Sequence, residues 1–216
     1  MPRLRSIILS LVVAALASAG TAGATTITVN TTGPSPTTGT ATTGFQLRFN
    51  TARRTLNCTS GELTMTRMTT VTGTAPLRFG TVTPVLPAAS GGSCTMTGGV
   101  SETFACLPGS VEAVGSSTTP AGVTQVRMPG MSCVIAVALL PSCRANLNGS
   151  AFGQFDNTTH QLRIFVAAQT LIVSGSTDGM GHTCGLLPND SSIAASNPTG
   201  GDLIYQYSTF DTIHVP

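Results

Sequence analysis

Apolar and polar residues alternate over short stretches along most of this chain. In GFQLRFN (44–50), Phe45, Leu47 and Phe49 fall on one side and Gln46 and Arg48 on the other. A period of two places alternate side chains on opposite faces of a half-buried strand. The same period returns in GELTMTRM, where Leu63 and Met65 share a face opposite Thr64, Thr66 and Met68. It recurs in HQLRIFV (Leu162, Ile164, Val166) and in DLIYQYS (Leu203, Tyr205, Tyr207). Two apolar runs, CVIAVALL (133–140) and QTLIV (169–173), are expected to be strands buried on both faces. AFGQFDNTTHQLRIF predicts a hairpin turning near Asp156–Thr159. No stretch of ten residues carries a helical period with caps, and Gly, Pro and Asn punctuate the chain throughout.

Many short strands between turns predict an all-β fold, an antiparallel β-sandwich or a partly closed barrel stapled by disulfides. The absence of a fixed repeat counts against propellers and solenoids. Residues 25–43 are rich in Thr, Gly and Pro. One strand is expected over Thr25–Asn30, with a linker or ragged segment at 31–43. Residues 44–216 are expected to form a single β domain, with VGSSTTP (114–120) as a long loop rather than a boundary.

The N-terminus changes the context. Arg3 and Arg5 precede an apolar run, Ile7–Ala17, and then Ala22-Gly23-Ala24. The run is shorter than the roughly 20 residues a membrane helix needs. Residues 1–24 therefore read as a secretory signal peptide. Its removal leaves 192 of the 216 residues, room for one sizeable core. Two of the ten basic residues leave with it, so eight arginines balance eight acids, and the chain has no lysine. Charged residues make up 8% of the chain, so solubility rests on Thr, Ser, Asn and Gln. Neutrality without basic runs excludes the footprint of nucleic-acid binding and of a polybasic membrane-surface binder. No membrane insertion is expected once the signal is gone.

All six cysteines follow the signal: Cys58, Cys94, Cys106, Cys133, Cys143 and Cys184. An even number in an exported chain implies disulfides, with 15 possible connectivities. No C-x-x-C spacing points to zinc or thiol redox chemistry.

The stretch GHTCGLLPNDSS (181–192) concentrates the residues of catalysis: His182, Cys184, Asp190, Ser191 and Ser192. A cysteine nucleophile needs a free thiolate near a histidine. Pairing of Cys184 removes that option, so the stretch reads as a disulfide-closed corner. There is no G-x-S-x-G elbow, and His160, His182 and His214 lack metal-ligand spacing. Glu62, Glu102, Glu112, Asp156, Asp178, Asp190, Asp202 and Asp211 lie mostly in turn-like contexts. A calcium site would need Asp156, Asn157, Asp178, Asn189 and Asp190 to meet at one end of the fold. The expectation is no catalytic, cofactor or metal residue. Sequons at Asn30, Asn148 and Asn157 matter only in a glycosylating host.

The order NCTSG (57–61), FGTVTPV (79–85), SGGSCTMTG (90–98), PSCRANLNGSAFGQFDNTTHQLRI (141–164), TCGLLPNDSS (183–192) and LIYQYS (203–208) resembles a loose group of small exported bacterial β-proteins of unassigned activity. More distantly it is similar to exported proteins named as activators of alkane oxidation. The likeness spans roughly 55–208. It implies a Cys143–Cys184 bridge first and Cys58–Cys94 next, with Cys106 and Cys133 additional to the group's pattern. It brings no catalytic residues.

Three functions follow in order. The first is a non-enzymatic secreted bacterial protein with a structural, adhesive or matrix role, whose partner is an unknown extracellular molecule or a second copy. The second is a binding module for a small apolar ligand, with Phe45, Phe49, Met65 and Met68 around a cavity, against the more ordinary role of such residues in simply filling the core. The third is a secreted hydrolase.

Overall fold

The computed structural model describes residues 26–85, 94–97, 100–114, 122–137, 143–208 and 212–215. Seventeen strands and one short 3-10 turn, Val166–Ala168, make up its regular structure. The strands are β1 (Thr26–Thr32), β2 (Thr37–Ala41), β3 (Phe45–Phe49), β4 (Arg54–Cys58), β5 (Glu62–Arg67) and β6 (Thr70–Thr74). They continue with β7 (Leu77–Val85), β8 (Cys94–Met96), β9 (Val100–Leu107), β10 (Gly109–Ala113), β11 (Val123–Val137) and β12 (Cys143–Asp156). The last are β13 (Gln161–Ile164), β14 (Leu171–Thr177), β15 (Ser192–Ser196), β16 (Leu203–Gln206) and β17 (Thr212–His214).

The pairings reduce this list to a simple object. Strands β2 and β3 are the two halves of one long stave, as are β4–β5, β7–β8, β9–β10, β13–β14 and β15–β16. The long strands β11 and β12 are staves in themselves. Each half pairs antiparallel with the matching half of the next stave in sequence. The eighth stave then closes on the first through β15–β3 and β16–β2. The fold is an eight-stave, up-and-down antiparallel barrel, fully closed where the alternation had left a sandwich or a partly closed barrel open, and closure removes the exposed strand edges.

Several staves are broken or bent near mid-height, and the chemistry of the break is visible in the residues. Gly44, at φ +67°, joins β2 to β3, and a Cβ there would crowd the Cys58 carbonyl. Pro108 interrupts β9–β10, and Pro129-Gly130 sits at the bulge where the β11–β12 register shifts. The 3-10 turn and the Asn197–Gly201 turn break two more staves.

The inner face is apolar. Phe49, Leu56, Leu63, Met65, Phe79, Met128, Phe155 and Leu162 are all buried in one continuous core. A sheet outside the barrel, ordered β17-β1-β6, covers the lower rim and adds Ile27, Val29 and Ile213 to that core. It is fastened by Asn157, whose side chain donates to the Ile213 carbonyl (2.9 Å) and accepts from the Ile213 amide (2.7 Å). The upper rim is covered by the 178–191 segment, with Leu187 fully buried beneath it.

Three expectations change. Residues 31–43 are not a linker: β1 runs to Thr32, and β2 is the first half of a barrel stave. The runs CVIAVALL and QTLIV are not buried on both faces, since Val134 and Ile172 are 43% and 45% exposed. A single-layer barrel has only one dry side, so even a strand made wholly of apolar residues shows half of them to solvent. Val166 leaves the face of Leu162 and Ile164, because its strand ends at Ile164. Most of VGSSTTP and all of residues 1–24, the expected signal peptide, fall outside the described residues.

Candidate functional site

All six cysteines are paired, as Cys58–Cys94, Cys106–Cys133 and Cys143–Cys184. The first two bridges join residues directly opposite each other on β4–β8 and β9–β11. The third ties the upper-rim segment to the start of β12. That answers the question raised by GHTCGLLPNDSS: Cys184 is a bridge, and no thiolate is left for catalysis. His182 pairs with Asp178 (Nδ1 to Oδ2, 3.2 Å) on the exposed surface of that rim. Among the described residues no serine hydroxyl bonds to the His182 ring, so no Ser-His-Asp relay forms there.

The acids are distributed as local braces. Glu112 pairs with Arg127 (2.6 Å) and Asp202 with Arg163 (2.7 Å), both between adjacent strands on the outer wall. Asp156 accepts the Thr158 and Thr159 amides in the lower-rim turn. Burial alone would raise its pKa, but those bonds hold it below the usual carboxylate value. Asp178 does the same at the upper rim, accepting the Met180 and His182 amides. Its pKa is likewise lowered, those bonds and His182 outweighing burial. Asp156 and Asn157 end β12 while Asp178 follows β14, whose far end pairs with the beginning of β12. The five residues considered for calcium therefore lie at opposite ends of the barrel. Among the described residues no group of three His, Cys, Asp or Glu forms a metal cluster.

What the barrel does contain is a cavity of about 60 Å³ at the height of the stave breaks. All eight staves reach it. Leu47, Phe104, Leu147 and Leu171 approach from the upper halves, and Leu63, Ile164, Leu203 and Tyr205 from the lower. Its size is about twice the ~30 Å³ share of one water in the liquid, and a space lined so largely by apolar groups suits an apolar guest.

Three of the four residues expected around a cavity do not line it. Phe49 and Met65 fill core above and below. Met68 is 47% exposed, beyond the end of β5, and only Phe45 touches the cavity. The alternation places residues inside or outside, but it carries no information on height along the axis.

Three polar side chains line the cavity: Glu62, Gln169 and Tyr205. Gln169 is tied to the scaffold: its Nε2 donates to the Ala195 carbonyl (2.7 Å) and its Oε1 accepts the Ala195 amide (2.8 Å). Tyr205 is not. It stands between Leu162 and Ala41 in the ladder, faces inward and is only 6% exposed. Its hydroxyl makes no hydrogen bond to any described residue. Burial pushes the phenol pKa up to about 12, so it stays neutral. Two residues on, Tyr207 meets the ordinary requirement, donating to the Leu63 carbonyl at 2.9 Å. Tyr205 thus differs from Tyr207 in offering its hydroxyl to the cavity; among the described residues the buried hydroxyls of Ser60 and Ser176 also lack a partner, but neither lines the cavity. Sequence reasoning placed Tyr205 on the inner face but had no means of separating it from Tyr207.

Comparison with models of protein families, with curated proteins and with solved structures found no match.

Proposed function

We propose that this chain is an exported, non-enzymatic binding protein whose barrel holds a small apolar molecule. The observation that carries this reading is the convergence of all eight staves on one apolar cavity at mid-height. An eight-strand barrel has an interior wide enough for side chains or for one small guest. Concave, mostly apolar spaces with very few polar groups are the usual form of small-molecule sites. Export is supported by the leader-like residues 1–24 and by three disulfides, which persist in oxidising compartments.

The test is calorimetry of the mature, oxidised protein with cyclopentane as an apolar probe. Saturable binding with a negative heat-capacity change is expected, and it should disappear in Ala195→Val, which adds two carbons to the cavity wall. Absence of binding by the parent protein overturns the proposal.

A structural or adhesive role at the cell surface is the second reading. It is supported by exposed threonines that stand opposite one another and share hydroxyl bonds: Thr28 with Thr72 (2.9 Å) and Thr32 with Thr212 (2.7 Å) in the lower-rim sheet, and Thr38 with Thr64 (3.0 Å) on the barrel wall. Such rows are neutral and rigid, and they offer a repeating polar face to a partner or a second copy. Retention of the protein on host cells, lost when Thr28 and Thr72 are changed together to glutamate, is the outcome this reading expects.

A further inference from the structure

We infer that the Tyr205 hydroxyl is the anchor for a single hydrogen-bond-accepting oxygen on the guest, so that the barrel selects small neutral carbonyl compounds (cyclic ketones or lactones) over hydrocarbons of the same shape. This inference rests on the apolar-ligand reading above and names the ligand class.

Four observations carry it. Tyr205 is an inward-facing residue on the cavity lining. It is more than nine-tenths buried, and its hydroxyl has no partner among the described residues. The amide at the cavity, Gln169, is tied to the Ala195 backbone by one bond at each end. No arginine lines the cavity, and the charged residue on its lining is the acid Glu62.

The ligand class follows from these facts. A neutral phenol donates one hydrogen bond, so one acceptor is matched and a second would stay unpaired. Burying a charge without a partner is strongly unfavourable, which excludes carboxylates, since the charged residue on the lining is the acid Glu62 and not a base. A hydrocarbon fills the space but leaves the hydroxyl unpaired, whereas a carbonyl fills it and pairs the hydroxyl. The difference between the two guests is one hydrogen bond made in a dry site, which corresponds to an affinity ratio of about five- to tenfold.

The test uses the mature, disulfide-intact protein, its Tyr205→Phe variant, and two probes of matched shape, cyclopentanone and cyclopentane. Calorimetry of the parent should show cyclopentanone bound about five- to tenfold more tightly. In Tyr205→Phe the two affinities should become equal, with cyclopentane binding unchanged. The carbonyl stretch of bound cyclopentanone should fall in frequency in the parent and return in the variant, a signature that a merely structural hydroxyl would not produce. Equal binding of the two probes by the parent overturns the anchor and leaves the apolar cavity standing. A carbonyl preference that survives in Tyr205→Phe overturns the anchor as well. Failure of the parent to bind either probe overturns both readings.

Discussion

At the scale of single residues, the fold shows how much depends on who faces whom across the barrel. Gly39 lies under the ring of Tyr207, and any Cβ there would enter the ring. Tyr207 in turn packs edge-on to Phe155 at 5.8 Å and donates to Leu63. The glycine is thus the counterpart of an aromatic residue on a neighbouring stave. Gly39→Ala is expected to destabilise the protein by about 1–3 kcal/mol through overpacking, read as a lower urea midpoint with an unchanged slope. Asp178 makes a second prediction. Its folded pKa lies below the ordinary 3.8 because its carboxylate accepts two amides of its own turn and faces His182. A depressed folded pKa means the stabilisation is complete at neutral pH and is lost as pH falls from 3.8 downward through the folded value. A side-chain carboxyl titration by NMR should place its midpoint under 3.8, and Asp178→Asn should remove that part of the acid sensitivity. A midpoint at or above 3.8 would contradict the turn geometry.

At the scale of elements, the upper-rim segment and the lower-rim sheet do the same job by different means. The lower rim is sealed by strands: β1 pairs with both β6 and β17, and Asn157 bolts β17 to the hairpin between β12 and β13. The upper segment has almost no ladder of its own. It depends on Leu187 below, on Asn189, which accepts the Ser176 amide at 2.8 Å, and on the Cys143–Cys184 bridge. That bridge closes a 41-residue separation, for which the loop-entropy account gives roughly 3–4 kcal/mol. A Cys143→Ser/Cys184→Ser double variant should lose about that much in denaturant unfolding. Limited proteolysis should then cut first within 178–191, while the barrel staves stay protected. Cleavage beginning in the β17-β1-β6 sheet instead would show that the bridge does not hold this rim.

At the scale of the whole molecule, one core runs from rim to rim with a cavity at mid-height. Because the staves are continuous through the break, the upper and lower halves cannot unfold separately without separating β11 from β12, which pair along both halves. A single cooperative transition is expected, with fluorescence and circular dichroism midpoints coinciding. Ala195→Val should keep or raise the midpoint by up to about 1 kcal/mol, since filling a void restores contacts that the lining lacks. A loss greater than that would mean the wall has no space at Ala195.

The alternation in the stretches around Phe45–Phe49, Leu63–Met65, Leu162–Ile164 and Leu203–Tyr207 was sufficient to identify an all-β protein and to name the inner face of each strand, because side-chain direction in a strand is a local property of the backbone. The paired cysteines similarly argued against a nucleophile at Cys184 before any contact was known. Joining β2 to β3 or β13 to β14 into staves was beyond the sequence, since a break at glycine or a 3-10 turn looks like a loop until both halves are seen to pair with the same neighbours. For the same reason a Thr-rich stretch read as a linker became a barrel stave, its partners lying at β5 and β16. Only the tertiary structure placed Phe45 at the cavity and Phe49 in packed core, and left one tyrosine of two without a partner. Those distinctions depend on height along the barrel axis and on what stands across it, both set by the closure of the sheet.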